Sequence, residues 1–341
     1  MKAFTYLSWS FLLLLLVLGS CVEEIDLPNT RQGGELVIHG TLTPSRSPQK
    51  LRIARTSPEE RITVPVTGAS ARVFDEQGNW EFYREVGEGV YEFMGNQIQV
   101  EKGHSYYLEV NILGRIYRSR PERMPTEVGY DELEWIATPQ KFVEVYADSY
   151  FPATEDPLFI RWNVEEVYIL EPTDFPDPFN DIPPPCYIWE YPNQQRMSLY
   201  NGALNPTERL PQTLVARQYV DYRFLSRHYF LVTQLSISRE AFEYWERVNK
   251  AVNRTGSIFD APPAPVAGNL FSPSNPNEQV LGYFEVALTD TASIFTVPGF
   301  FNFWIPPYCR YVPFQPVARY PRVCINCLDF PNSSLQKPDF F

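Results

Sequence analysis

Histidine is scarce in this chain: three residues in 341, at His39, His104 and His228. None has a second candidate ligand at a spacing such as His-Glu-x-x-His, so the common His-based zinc motifs are excluded. Glycine is also sparse, at 17 residues. No Gly-rich phosphate loop, no dinucleotide fingerprint and no Gly-x-Ser-x-Gly nucleophile elbow occurs. Basic residues are outnumbered, with 29 Lys and Arg against 41 Asp and Glu, for a formal charge of −12. Binding to a phosphate backbone needs a basic face, so nucleic acid is not an expected partner. Neither a Gly period nor a sustained heptad is present, which removes collagen and coiled coil. The expectation is a non-enzymatic protein with no catalytic residues, cofactor or metal.

Proline and aromatic residues are abundant instead. The chain has 32 Pro, 24 Phe, 21 Tyr and 7 Trp, and 44% of it is hydrophobic. That is enough apolar side chain to build a core. Proline cannot donate to a β-ladder and breaks helix interiors, so this composition favours short strands joined by ordered loops. The length allows about two domains.

Residues 1–20 read as a signal peptide. Lys2 gives the positive start, and Phe11 to Leu18 form an apolar stretch too short to span a bilayer comfortably. Leu18-Gly19-Ser20-Cys21 looks like a bacterial lipobox, in which the Cys is lipidated and becomes the new N-terminus. Acyl chains on Cys21 would hold a soluble body at a membrane surface. The acidic cluster Val22-Glu23-Glu24-Ile25-Asp26 resembles the export signal of Bacteroidota surface lipoproteins, and residues 21–34 read as a tether.

Four further cysteines remain: Cys186, Cys309, Cys324 and Cys327. An even number in an exported chain points to two disulfides. Pairing Cys324 with Cys327 would close a very short loop, so long-range bridges that tie the Pro-rich segment around Cys186 and the C-terminal tail to the body are expected. A redox or zinc role for Cys324-Ile325-Asn326-Cys327 is the weaker reading, because the motif sits in a Pro-rich tail and has no close second pair.

The fold expected is mainly β. Between residues 35 and 122, six or seven short alternating segments recur every 8–12 residues, the pattern of an Ig-like or transthyretin-like β-sandwich. Examples are Leu36-Val37-Ile38-His39-Gly40, Ser70-Ala71-Arg72-Val73-Phe74 and Tyr106-Tyr107-Leu108-Glu109-Val110. A boundary is placed near Pro121-Glu122-Arg123-Met124-Pro125. Residues 126–330 are expected to form a second β-rich domain with long Pro-rich loops, strands near 158–164, 229–237 and 280–288, and a C-terminal tail over 331–341. One helix is clear near 238–252: Ser238 can cap it, and Ala241, Phe242, Trp245, Val248 and Val252 recur at helical spacing. Residues 172–194 read as a long irregular loop; its Asp174, Asp177 and Asp181 lack the spacing of calcium loops and read as a solvated acidic cluster.

The best candidate contacts are aromatic. Tyr187, Trp189 and Tyr191 lie around Cys186, and Trp304, Tyr308 and Tyr311 lie among prolines near the C-terminus. Rings on ordered loops can stack on sugars or anchor a protein partner. The competing and favoured reading of residues 300–305 is a core strand, since Phe301, Phe303 and Ile305 alternate.

Several segments together carry a resemblance. The lipobox, Leu36-Val37-Ile38-His39-Gly40, Ser105-Tyr106-Tyr107-Leu108-Glu109-Val110, the stretch from Ser257-Ile258-Phe259-Asp260 to Gly268-Asn269-Leu270, and the tail Lys337-Pro338-Asp339-Phe340-Phe341 resemble domain-of-unknown-function family 4249, a group of Bacteroidota lipoproteins. The resemblance implies a lipid anchor on Cys21, outer-membrane and cell-surface location, and a TonB-dependent outer-membrane receptor as partner. It carries no catalytic residue. The expected function is therefore a ligand-capturing or capping partner of such a transporter, for an unknown small ligand or glycan. The alternative is a stand-alone carbohydrate-binding or adhesion lipoprotein.

Overall fold

Alternating burial builds the first half of the molecule. The computed structural model describes residues 34–45, 48–57, 63–154, 156–171, 184–191, 197–253 and 265–341. The signal peptide, Cys21, the tether up to residue 33, and Asp174, Asp177 and Asp181 lie outside the described residues. Nine strands come first: β1 (Leu36–Leu42), β2 (Gln49–Thr56), β3 (Thr63–Pro65), β4 (Ser70–Asp75), β5 (Trp80–Gly87), β6 (Val90–Phe93), β7 (Ser105–Ile112), β8 (Arg115–Ser119) and β9 (Glu122–Arg123). In β1 every second residue is buried, and β7 and β4 repeat the pattern, because successive side chains of a strand leave opposite faces. The inward set, including Ile38, Leu51, Ile53, Val73, Tyr91, Leu108 and Val110, forms one core. β5 runs through the bend that wraps the sheet around this core: its first half pairs with β4 and its second half with β6.

The second half contains β10 (Tyr130–Ala137), β11 (Phe142–Tyr150), β12 (Phe159–Leu170), β13 (Cys186–Glu190), β14 (Leu199–Asn201), β15 (Arg209–Tyr219), β16 (His228–Ile237), helix α1 (Arg239–Val252), β17 (Leu270–Phe271), β18 (Val280–Leu281), β19 (Phe284–Val286), β20 (Leu288–Thr296), helix α2 (Arg322–Ile325) and β21 (Ser333–Ser334). β10, β11 and β15 make a three-stranded sheet. It packs on a second sheet ordered β20-β16-β12-β13-β21, with β14 also on β12. Val143, Val145, Trp162, Phe230 and Val232 fill the space between the two. The predicted helix forms as α1. Ser238 Oγ accepts from the backbone N–H of Ala241, and Ala241, Phe242 and Tyr244 are buried; Val252, read as part of the apolar stripe, is exposed.

Three features depart from the sequence reading. The single strand expected near 280–288 is divided into three. Gly282 has φ +89°, and an added Cβ there would lie 2.0 Å from the Ile38 carbonyl oxygen, so the backbone turns at a site only glycine fits. β18 and β19 then pair in parallel with β1, and after Ala287 the chain crosses to pair with β16 as β20. Residues 270–286, placed by sequence with the second half, thus belong to the first sheet, where β17 also extends β8. Part of the Pro-rich loop is strand: β13 pairs five residues with β12, from Glu166 opposite Glu190 to Leu170 opposite Cys186. Finally, residues 300–305 are not a strand. Phe301, Phe303 and Ile305 do point inward alternately and pack on the second core, but Pro298 on one side and Pro306-Pro307 on the other supply no ladder donors.

The two halves meet at a buried carboxylate. Glu122 on β9 accepts hydrogen bonds from Ser238 Oγ at the start of α1, from Tyr283 Oη, and from Asn269 Nδ2 at 3.3 Å. Burial pushes its pKa above the ordinary value of 4.5, against those three hydrogen bonds, which act to lower it. Folding therefore moves Glu122 toward its neutral form relative to the unfolded chain. Its contribution to stability is full below the unfolded pKa and is lost as pH rises through the raised folded value. Urea titrations of wild type and Glu122→Gln between about pH 4 and pH 8 should show the wild-type stability falling relative to the variant as pH rises. A pH-independent difference would count against this account.

Candidate functional site

The outward face of the first sheet carries large rings where polar side chains are usual. In the strand order β17-β8-β7-β4-β5, the inward phase is taken by Tyr117, Leu108, Val73 and Tyr83. The outward phase falls into rows. One row runs Trp80, Phe74 and Tyr107 across β5, β4 and β7. The next runs Phe82, Arg72, Glu109, Arg118 and Phe271 across all five strands. Neighbouring strands are about 4.8 Å apart, so five strands spread this row over roughly 20 Å.

The geometry holds these side chains in place. Phe74 and Tyr107 stack with centroids 4.8 Å apart and planes 4° from parallel, while Trp80 and Phe82 meet edge to face at 4.8 Å. The Arg72 guanidinium lies 5.3 Å from the Phe74 and Trp80 centroids and 5.9 Å from Phe82, within reach of cation–π attraction. Glu109, buried beneath it, anchors two arginines: Arg72 Nη2 donates to Oε1 at 2.6 Å, and Arg118 Nε donates to Oε2 at 2.8 Å. Trp80, Phe82 and Phe271 keep 39%, 50% and 41% of their surface open to solvent. Beside them, a groove of about 640 Å³ runs between β8 and the turn after β17, lined by Tyr107, Arg118, Arg120, Phe271, Pro273 and Pro276 among others. Fixed rings with ordered guanidinium donors can bind a ligand with an apolar face and a polar or anionic rim.

None of the aromatic contacts expected from sequence lies on this face. A signal was present: Phe74, Trp80, Phe82 and Tyr107 occupy the phase of their strands that should be polar. Phe271 had none, because it reaches the face only through the return of β17.

The residues proposed from sequence are dispersed. Cys186 bonds to Cys327, a long-range bridge as expected; Cys309 bonds to Cys324 across only 15 residues, so the second bridge is local to the C-terminal segment. Tyr187 and Trp189 are covered by the chain's own C-terminus: Phe341 meets Tyr187 at 5.1 Å, Phe340 meets Trp189 at 5.7 Å, and both also pack on Tyr229. Tyr191 and Trp304 are exposed. Tyr308 and Tyr311 come together with Tyr222, Leu225 and Ser226 around a pocket of about 280 Å³. The three histidines are far from forming a group. His39 is edge-on to Trp245 and its pKa is lowered by burial; His104 sits at the surface against Glu76; His228 is buried against Glu166 at 3.0 Å. Among the described residues, no three or more His, Cys, Asp or Glu side chains are grouped to hold a metal ion. No described helix is long and apolar enough to cross a membrane.

The model of a family described as a domain of unknown function (DUF4249) matches residues 22–293, which contain the whole aromatic and arginine face. No match was found among curated proteins.

Proposed function

The chain belongs to the domain of unknown function (DUF4249) family, and from that premise we propose that it is a non-enzymatic, lipid-anchored outer-membrane protein that captures ligand for, or caps, a TonB-dependent transporter. The observation that carries this reading is the aromatic and arginine face: exposed Trp80, Phe82 and Phe271 around a fixed Arg72-Glu109-Arg118 triad. Rings and arginines of this kind dominate the energetics of recognition surfaces. The lipobox ending in Cys21 supplies the anchor, and the acidic cluster behind it supports delivery to the cell surface.

Purification from membranes in mild detergent should recover a β-barrel protein together with this chain. A solitary protein under those conditions would overturn the partnership. Cys21→Ala should move the protein from the membrane to the soluble fraction on flotation, because the apolar stretch before it is too short to anchor the chain by itself. Retention of Cys21→Ala in the membrane would overturn the lipid anchor. The groove beside the face also suits a stand-alone carbohydrate-binding lipoprotein; glycan binding without any barrel partner would favour that reading.

A further inference from the structure

We infer that the groove between β8 and the turn after β17 binds an acidic saccharide, with a pyranose ring against Phe271 and Tyr107 and its carboxylate on Arg120 and Arg118. The inference deepens the ligand-capture reading and rests on it.

Charge is the first argument. The chain carries −12 overall, yet among the described residues those lining this groove include Arg118 and Arg120 and no Asp or Glu. Arg120 forms no ion pair among the described residues. The carboxylate nearest in the sheet, Glu109, is buried and shared by Arg72 and Arg118, so the triad has one net positive charge. Arg118 uses its Nε and one terminal nitrogen on Glu109. A guanidinium has five N–H donors, so others remain for a ligand carboxylate.

Shape is the second argument. The electron-rich face of an aromatic ring complements the weakly positive C–H face of a pyranose, as it does the edge of another ring. Phe271 is exposed on the edge strand, and Tyr107 is held by its stack on Phe74. Pro273 and Pro276 also line the groove and are stiff, so it loses little freedom when filled. At about 640 Å³ it has the size of a small-ligand site. The edge strand β17 is only two residues long, which offers little to a peptide adding a strand.

The test uses the full mature chain and calorimetry with three probes: an oligogalacturonate, a neutral oligosaccharide of the same length, and an oligoglutamate peptide. The oligogalacturonate should bind at least tenfold more tightly than either of the others, and its affinity should fall as salt is raised. Arg120→Gln and Phe271→Ala should each weaken it roughly tenfold. Both residues are exposed, so an unchanged urea midpoint will separate lost binding from lost fold. Leu204→Ala, on an exposed turn in the other half, should bind as wild type. Equal affinity for the neutral saccharide, equal or tighter binding of oligoglutamate, or no effect of Arg120→Gln and Phe271→Ala would each overturn the assignment. Recovery of a barrel partner with no saccharide binding would remove this inference and leave the transporter partnership standing. Saccharide binding by a solitary protein would do the reverse.

Discussion

Replacing Cys186 and Cys327 together with Ala is expected to lower the unfolding free energy by about 5 kcal/mol. The bridge closes a loop of 141 residues, so removing it releases a large amount of unfolded-chain entropy. In the fold it joins β13 to the short turn after α2, inside a cluster with Tyr168, Leu170 and Ile188. Among the described residues, only two residue pairs, between β13 and β21, otherwise connect that C-terminal segment to a sheet ladder. Removing Cys309–Cys324, which spans 15 residues, should cost less, about 3 kcal/mol. Urea titrations of the two double variants should separate them, and proteolysis of the Cys186/Cys327 variant should begin in the segment after Thr296. An equal or larger loss from the Cys309/Cys324 variant would refute the expected order.

Glu285→Ala should destabilise by about 3–5 kcal/mol, for an electrostatic reason. Glu285 on β19 is fully buried. It accepts from Arg161 Nη2 at 2.7 Å and from Trp245 Nε1, so one carboxylate from the first sheet holds β12 and α1 of the second half. Arg161 also lies over the Trp245 ring at 4.5 Å, and only 11% of its side chain is exposed. Truncating Glu285 strands that guanidinium in a site with little water. The variant Glu285→Leu combined with Arg161→Met removes both charges and should cost less than Glu285→Ala alone, because an apolar pair of similar volume avoids the desolvation penalty. A double variant less stable than the single one would show that the cost lies in packing rather than in the orphaned charge.

The strands and helix of this protein are legible where burial alternates locally. Leu36–Leu42 and Ser105–Ile112 keep their inward phase for their whole length. The Ser238 cap and the buried Ala241 and Phe242 mark α1. β20 was less visible: Asp290, Thr291 and Ser293 interrupt its apolar pattern, and it forms because nine of its residues find partners on β16. Residues 300–305 show the opposite case, with alternation but no ladder, since packing on a core can impose the same period without paired strands.

The candidate site was harder to read for a related reason. Phe74, Trp80 and Phe82 are near in sequence, Tyr107 follows two strands later, and all four are rings in the phase of their strands that should be polar. Their grouping around Arg72, and the addition of Arg118 and Phe271, depend on which strands are neighbours. The aromatic loops that the sequence singles out are partly occupied by the chain itself, because Phe340 and Phe341 lie on Trp189 and Tyr187.

By itself, the sequence determined the β-rich class, the capped helix, the even cysteine set and the family, because these follow from short-range periodicity, local hydrogen-bonding preferences and residue identity. Tertiary structure alone decided the cysteine pairing, the return of Leu270–Val286 to the first sheet, and the row from Phe82 to Phe271. A strand's period of two says which side chains share a face. Which strand lies beside it is decided by long-range burial and backbone pairing, and that choice placed two arginines and an exposed ring on one edge of an otherwise acidic protein.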